Sequence, residues 1–286
     1  MQGRPHSIRA FDDGVDRWQM VEAAPSPTLA GRVGRYADYW EETKSFAARR
    51  ELASTSGVLI YALGAPLEIT GADGRIVTIA AGEAFAGGIA DSTSLSRGLG
   101  PQAGVHVFLP LTSLAAVCGA PLSELANRVV AFADLVGPEA RALGDALCGA
   151  ADAGARFALL DAFLERRFAE RDRDRGTAWA MRRLAKATGP ATSALAEEIG
   201  WSRKHFIQRF REDTGFSPDR FRRLARFERF TEAIMAAPED SLAGLATDIG
   251  YVDQAHLTRD VRAFAAMTPG ELRARLIPGQ GGVRHD

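Results

Sequence analysis

A repeat in the last third of the chain constrains its fold more than any other feature. Residues 195–200 read LAEEIG, and residues 245–250 read LATDIG, fifty positions later. After one extra residue in the second copy, apolar positions continue to match at an offset of 51, as with Phe206 and Leu257. Agreement over roughly thirty residues predicts two copies of one structural unit.

Each copy reads as two short helices separated by a tight turn. A helix is predicted over residues 192–199 and again over 241–249, and a glycine follows each of them. Gly200 and its counterpart can adopt a left-handed conformation at no steric cost, which suits the end of a helix. Ser202 in the first copy and Asp253 in the second are good N-caps for a following helix. The repeat therefore predicts two helix-turn-helix units.

A third helical element follows in each copy. Ser217 and Pro218 begin it in the first copy, because proline fits the first position of a helix. In the second copy Thr268 and Glu271 have the spacing of a capping box, in which each side chain binds the backbone N–H of the other residue. The two copies therefore share the same order of elements.

This order resembles the double helix-turn-helix domain of AraC/XylS-type transcription regulators, over roughly residues 180–276. The resemblance is carried by LAEEIGWSRKHFIQRFREDTGFSP and LATDIGYVDQAHLTRDVRAFAAMTP. It implies that one long helix, here about residues 218–236, joins the two units, and that the partner is double-stranded DNA. The chain departs from the family pattern at Gln208, Val261 and Ala266, where Arg, Phe and Gly are usual. These departures affect packing and base preference more than the fold.

Helical periodicity assigns the faces of the second helix in each unit. With Phe206 and Leu257 turned to the core, at about 100° per residue, Lys204 and Arg259 fall on the outward sides. Arginine and lysine can read guanine, glutamine can read adenine, and isoleucine can pack against a thymine methyl. In this frame base contacts are predicted for Lys204, Ile207, Gln208, Gln254, His256, Thr258 and Arg259, and phosphate contacts for Arg203, Arg211 and Arg262. A solvated helix face is the alternative for each residue.

The charge distribution is uneven, although the whole chain has a formal net charge of −1. Residues 1–176 hold 18 basic and 22 acidic side chains, residues 177–286 hold 17 and 14, and residues 201–230 hold nine and four. A basic segment attached to an acidic domain is typical of a polyanion-binding module, and a solvated helix face is again the alternative. The arginines of the long helix are predicted to touch phosphates or to pair with Glu228 and Glu232.

The first part of the chain has the texture of strands. Short apolar runs punctuated by Gly, Pro and Asp are typical of antiparallel strands. Such runs occupy residues 57–63, 66–70, 76–80 and 103–111, and the segment around Tyr36, Tyr39 and Trp40 is placed in the same sheet. They predict a β-barrel or sandwich over about residues 15–110.

From about residue 112 to 172 the apolar spacing becomes helical. Leu122, Leu125, Ala126 and Val129 recur at helical spacing, Pro138 begins a helix that runs to about Cys148, and residues 155–171 carry one apolar stripe. The charged segment RDRDRG, which ends at Gly176, marks the predicted domain boundary. The fold class is therefore α+β: residues 1–176 form a sensing or dimerisation domain, and residues 177–286 form an all-α DNA-binding domain.

The N-terminal domain is where an enzyme would have to lie. Before residue 177 the chain has only His6 and His106, too few for a His-rich metal site, and Cys118 and Cys148 lie in apolar settings typical of buried, inert thiols. We therefore expect no catalysis, cofactor or metal, and expect instead a small-molecule effector of unknown identity and a homodimer. A DNA-binding protein with an enzyme or repair module, and an interaction module without effector, remain the alternatives.

No apolar run approaches the roughly 18 residues of a membrane span, and the N-terminus carries charges where a signal peptide would be apolar. The sequence therefore predicts a cytoplasmic protein without a membrane partner.

The composition shift at RDRDRG yields a prediction about domain independence. A fragment of about residues 177–286 should fold alone and bind duplex DNA, because the repeat contains its own apolar positions. Limited proteolysis of the whole chain should cut first near residues 171–177, as mass spectrometry of the fragments would show. A fragment without helical circular dichroism would refute this boundary.

Overall fold

The structure is a computed structural model of the chain. It describes residues 6–170, 180–181, 183–184, 192–277 and 282–285. The predicted domain boundary at RDRDRG lies outside the described residues, so its position stays a prediction.

Antiparallel strands dominate the first half of the described chain. In order they are β1 (His6–Asp12), β2 (Arg17–Ala23), β3 (Arg35–Glu42), β4 (Ala48–Glu51), β5 (Gly57–Ala62), β6 (Leu67–Thr70), β7 (Ile76–Ile79), β8 (Ala84–Gly87), β9 (Ser94–Gly98), β10 (Gln102–Leu109), β11 (Val129–Ala131) and β12 (Val283–His285). One sheet has seven strands in the order β1-β2-β3-β10-β5-β8-β11, and the other has five in the order β12-β4-β9-β6-β7. The two sheets are not closed into a barrel, so of the two predicted forms the sandwich is the one observed.

Helices cover the outer face of the seven-stranded sheet. They are α1 (Leu111–Cys118), α2 (Leu122–Leu125), α3 (Phe132–Val136), α4 (Pro138–Gly149) and α5 (Ala153–Glu170). Tyr36 of β3 stacks on Phe157 of α5 with ring centroids 5.5 Å apart, and its hydroxyl donates a hydrogen bond of 2.7 Å to Asp161. The inner face of the sheet packs instead against the five-stranded sheet through buried residues such as Ile69, Ile79 and Phe85.

Most of the expected strands are confirmed, and two expectations are wrong in detail. The strand predicted around Tyr36 is β3, and the run at 103–111 is β10. The sandwich begins earlier than predicted, because β1 and β2 form a hairpin from His6 onward. The helical spacing from Leu122 ends after one turn, and Val129 lies in β11, where it pairs with Gly87 of β8. Its β-branched side chain suits that strand.

The C-terminal helices follow the repeat closely. They are α6 (Thr192–Glu198), α7 (Arg203–Thr214), α8 (Pro218–Ala236), α9 (Leu242–Ile249), α10 (Gln254–Ala265) and α11 (Pro269–Arg275). The predicted caps are confirmed: Ser202 and Asp253 accept hydrogen bonds from the backbone N–H three residues on, and Thr268 with Glu271 forms a capping box. Gly200 and Gly250 both have left-handed φ values, of 72° and 94°.

The C-terminal domain is helical, as expected, and one short strand follows its last helix. Residues 283–285 form β12, which pairs antiparallel with β4 and so extends the five-stranded sheet of the N-terminal domain. A three-residue strand carries almost no periodicity signal, and its partner lies more than two hundred residues away in the chain, which is why sequence reasoning missed it.

The two halves share one hydrophobic core and several polar contacts. Ala53, Ile89 and Leu111 belong to the same buried cluster as the C-terminal helices. Arg220 of α8 makes an ion pair of 2.8 Å with Asp91. Further along α8, the carboxylate of Glu228 accepts hydrogen bonds from the loop between β4 and β5. The donors are Ser54, Thr55 and Ser56. Helix α8 is therefore fixed to the N-terminal domain at two points.

A pair of glycines tests this packing. Gly215 and Gly250 both have left-handed φ, but a Cβ at Gly215 would lie 2.8 Å from Cβ of Ala126, whereas nothing lies within 4 Å at Gly250. Gly250→Ala should therefore cost only about 1–2 kcal/mol of conformational strain. Gly215→Ala should cost about 1–3 kcal/mol more from overpacking, measured by equilibrium urea unfolding.

The second substitution Ala126→Gly should recover that extra cost. Equal destabilisation by the two glycine substitutions would contradict the contact between α7 and the N-terminal domain.

Candidate nucleic-acid interface

Helix α8 holds both helix-turn-helix units through one row of aromatic side chains. Near its start, Phe221 packs edge-on against Phe210 of α7, with ring centroids 5.8 Å apart. Further along, Phe227 lies 5.4 Å from Phe264 of α10. Phe230 then contacts Tyr251, at 5.8 Å, in the turn before α10. The second helix of each unit, α7 and α10, is therefore anchored to a common rigid support.

Helix α7 is the second helix of the first unit and its candidate recognition helix, the one predicted to contact DNA bases. It turns one face away from this core. Phe206 and Phe210 are buried, while Arg203, Lys204, Gln208 and Arg211 are exposed and Ile207 is half-buried. The amide of Gln208 donates a hydrogen bond of 3.0 Å to Glu212, one turn further on. This bond orients the amide along the helix surface. The arrangement agrees with the predicted outward face of α7, and the contacts to DNA stay predictions.

The second recognition helix, α10, repeats the arrangement with one difference. Gln254, Arg259 and Arg262 are exposed, and Thr258 is half-buried. His256 turns the other way: its Nε2 lies 2.9 Å from Nη2 of Arg226, and its ring packs edge-on against Tyr251 at 5.3 Å. Burial, and then the neighbouring Arg226, lower the pKa of His256. Among the predicted base contacts, His256 has the least support from its position.

A buried carboxylate on the inner side of α10 was not singled out from the sequence. Asp260 has no exposed surface, and its two oxygens accept hydrogen bonds from Arg223 at 2.7 Å and Arg226 at 3.3 Å, both on α8. A buried charge persists only when it is paired and hydrogen-bonded, and here both conditions hold. The signal was present: Asp260 lies between the core positions Leu257 and Phe264 on the same helical face.

The expected partners of the α8 arginines are corrected by this geometry. Arg220 pairs with Asp91, and Arg222 pairs with Asp219 at 2.6 Å. Arg223 and Arg226 both pair with Asp260. Glu228, predicted as a partner, is bound by the serine and threonine side chains of the N-terminal loop instead. Pairing within one helix was assumed, whereas neighbouring elements supply most of the carboxylates.

Two exposed apolar residues in the turns were also not assigned to the interface. Val252 is 86% exposed and Trp201 is 37% exposed. Each of them directly precedes the N-cap residue of a recognition helix, Asp253 and Ser202 respectively. Trp201 packs edge-on against His205 with centroids 4.6 Å apart. These side chains flank the outward faces of α7 and α10, where thymine methyl groups or sugars would be available for apolar contact.

The cysteines and the metal-ligating residues complete the comparison with the sequence. Cys118 is buried as expected, but Cys148 is exposed, because it follows the buried Leu147 on the outward side of α4. Within residues 6–170 and the described C-terminal segments, no group of three His, Cys, Asp or Glu side chains is arranged to hold a metal ion. In the same segments, no helix combines the length and apolar character needed to cross a membrane.

Comparison with known families identifies the C-terminal helices. Residues 195–275, between a quarter and a third of the chain, match the family described as a helix-turn-helix domain, which is of the AraC type. The comparison with curated proteins found no significant match. Residues 195–275 are therefore a helix-turn-helix domain of the AraC type, and this match supports a role in DNA-binding transcription regulation.

Three solved structures are similar to this chain to different degrees. An apo form of a ToxT variant from Vibrio cholerae shares 10% identity with a TM-score of 0.50, over 84% of this chain and 97% of that one. ToxT from the same organism with an unsaturated fatty acid bound shares 9% identity over 79% of this chain and 93% of that one, with a TM-score of 0.45. The AraC-like activator CuxR shares 14% identity over 80% and 86%, with a TM-score of 0.33. The first likeness shows a common two-domain fold.

The pairing of Asp260 leads to a prediction about the second recognition helix. Asp260→Asn keeps the shape but removes the charge that two arginines bind, so it should destabilise the protein by about 1.5–3 kcal/mol. It should also weaken DNA binding through α10 more than through α7, because α10 loses its polar attachment to α8. Equilibrium unfolding and binding to sites altered in one element would measure both effects.

Asp248→Asn, at an exposed position on α9, is the control and should change stability by less than about 0.5 kcal/mol. If the two substitutions had the same effect, Asp260 would not position α10.

Proposed function

We propose that the protein is a sequence-specific regulator that reads two successive major grooves of duplex DNA, one with α7 and one with α10. The observation that carries this proposal is the common attachment of both recognition helices to α8, with their polar faces turned away from the shared core. One recognition helix fits one major groove, and grooves on one face of the duplex recur about every 10–10.5 bp.

Base readout is assigned to the N-terminal half of each recognition helix. Lys204, Ile207 and Gln208 read one groove, and Gln254, Thr258 and Arg259 read the next. Arg203, Arg211 and Arg262 lie near the helix ends and bind phosphates. This division is supported by exposure, since all three arginines are exposed.

The N-terminal domain is proposed to sense a small molecule between its two sheets and to pair two chains. One end of this region between the sheets, the inner space, is filled by packed apolar residues, among them Ile69, Ile79 and Phe85. The other end is polar: Arg49 forms an ion pair of 2.9 Å with Glu41, and burial raises the pKa of the neighbouring Tyr39. An apolar space with a few placed polar groups is the usual character of a small-molecule site.

His106 supports the same assignment. Its Nε2 is buried on the inner face of β10, with no hydrogen-bond partner among the described residues. Burial, and then Arg35, lower the pKa of His106 to about 3, so the ring is neutral at physiological pH. A neutral buried nitrogen is a group that an effector can bind by a hydrogen bond. We propose no catalytic role for either domain and a cytoplasmic location for the regulator.

Substitution of Arg259 distinguishes a base contact from a phosphate contact. Arg259→Ala should cost about 1–3 kcal/mol on the preferred site and little on random DNA, because lost base readout affects only the right sequence. The measurement is a binding selection on randomised duplexes, followed by titration of the selected and random sequences. Equal weakening of binding to the selected and the random sequences would show that Arg259 contacts a phosphate.

Arg262→Ala is the matched control on the same helix. It should weaken binding to all sequences alike and lower the slope of log affinity against log salt by about one.

The effector proposal is tested by thermal shift of the whole protein against a library of small molecules. A ligand at 100 times its dissociation constant stabilises the folded state by about 2.7 kcal/mol. Binding should be weakened by Glu41→Gln, which alters the polar end of the inner space. The absence of any stabilising ligand in a broad library would favour a regulator without effector.

A further inference from the structure

The first strand of the seven-stranded sheet has one open side. β1 pairs with β2 along its whole length, from His6 opposite Ala23 to Asp12 opposite Arg17, and among the described residues no strand lies on its other side. All seven residues of β1 are exposed. The outer N–H and C=O groups of such an edge are a template for another strand.

Apart from the charged Arg9 and Asp12, the open edge carries few of the features by which proteins block edge pairing. Within β1 there is no proline, the register with β2 has no bulge, and Ile8 and Phe11 are 58% and 46% exposed. Nearby, Val15 and Trp40 are 49% and 40% exposed. Exposed apolar side chains therefore lie on both faces beside the open edge, because Ile8 and Phe11 point to opposite sides of the strand.

We propose that the occupant of this edge is β1 of a second copy of the chain, paired antiparallel about a two-fold axis that passes through Arg9. This inference rests on the homodimer in the proposed function and names its surface. A two-fold axis makes the contact isologous, so both chains use the same residues and the assembly closes at two chains.

The sequence of β1, HSIRAFD, is complementary to itself in this register. The register centred on Arg9 is the one that pairs all seven residues of β1. It places His6 opposite Asp12 of the second copy and Ile8 opposite Ala10, so that a basic side chain meets an acidic one and apolar side chains meet each other. Shifting the register by one residue in either direction separates His6 from Asp12, although one of the two shifts places Ile8 opposite Phe11.

The residue on the axis would meet its own copy, and the structure provides the compensating charge. Nη2 of Arg9 lies 3.3 Å from Oε2 of Glu22 on the neighbouring strand β2. Each guanidinium therefore approaches the axis with a carboxylate beside it. Each Arg9 would be attracted by Glu22 of its own chain and by Glu22 of the second copy. This attraction offsets part of the repulsion between the two Arg9 side chains.

Pairing through β1 would join the two seven-stranded sheets into one sheet across both chains. The DNA-binding domains are attached to the other parts of the sandwich, through α8 and β12, and stay accessible. The dimer would thus present two double helix-turn-helix domains to two sites on the same DNA.

Single cysteines test the register, in a background where the exposed Cys148 is replaced by serine. Opposite residues of antiparallel strands have Cα atoms about 4.5–5.5 Å apart, within the range for a disulfide. Arg9→Cys should therefore form a disulfide-linked dimer on mild oxidation. Ile8→Cys alone and Ala10→Cys alone should not, because each lies about 7–8 Å from its own copy across the axis. A mixture of the Ile8→Cys and Ala10→Cys chains should cross-link.

Sedimentation equilibrium of the unmodified chain separates the two levels of the proposal. A dimer that cross-links in this pattern supports both the homodimer and its surface. A dimer in which Arg9→Cys does not cross-link, or in which Ile8→Cys cross-links equally well, would refute the β1 surface and leave the homodimer standing. A chain that is monomeric at all concentrations, with and without a two-site DNA, would refute both.

A charge exchange gives an independent check. Asp12→Lys should weaken the dimer about two- to tenfold, since in each of the two symmetric pairs the new cation would face His6 of the second copy. Adding His6→Glu should restore the affinity, because the pair is then reversed. A double variant no better than the single one would overturn the proposed register.

Discussion

The aromatic contacts of α8 are the constraint on which the DNA-binding half depends. Phe221, Phe227 and Phe230 each contact a ring from one of the two units, and all three are buried. Truncating such a side chain to alanine typically costs about 3–5 kcal/mol. These contacts do more than stabilise, because they fix the spacing and angle between α7 and α10. Two recognition helices on separate supports would have no defined relation to the grooves of one duplex.

Most of the basic side chains in residues 201–230 form ion pairs that stabilise the fold. Of the nine basic side chains in residues 201–230, Arg223 and Arg226 bind the buried Asp260, and Arg220 binds Asp91 of the N-terminal domain. Arg209 is held by Glu212 and Asp213 on its own helix. The surplus of basic residues therefore overstates the number of phosphate contacts. Those assigned to DNA are the ones whose helices turn them outward.

The same attachments couple the two halves of the chain. Glu228 and Arg220 connect α8 to loops of the sandwich, and β12 adds a strand to the sheet that faces the inner space. An effector that shifted β4 would act on a sheet to which the DNA-binding domain is directly hydrogen-bonded. A ligand can change DNA affinity only by its different affinity for the two arrangements, and these contacts are the ones that would differ.

What the sequence predicted was mainly local. The bounds of α8, the caps at Ser202 and Asp253, and the outward position of Arg259 follow from spacing and residue type within one helix or turn, and the structure agrees with them. The role of Asp260 and the strand β12 depend on partners far away in the chain, which no local pattern specifies. His256 shows the limit of helical periodicity, because a flanking position can turn inward when a neighbouring helix offers a partner.

If α8 fixes the two recognition helices at one spacing, the distance between the two DNA elements must match it. The selected site would be lengthened by about 5 or about 10 bp between its two elements, and the affinity of the protein for each site would be measured. Both insertions should abolish the advantage of having two elements, since α8 cannot stretch to a second helical turn. Recovery of full affinity with the insertion of about 10 bp would show instead that the two helices move independently of each other.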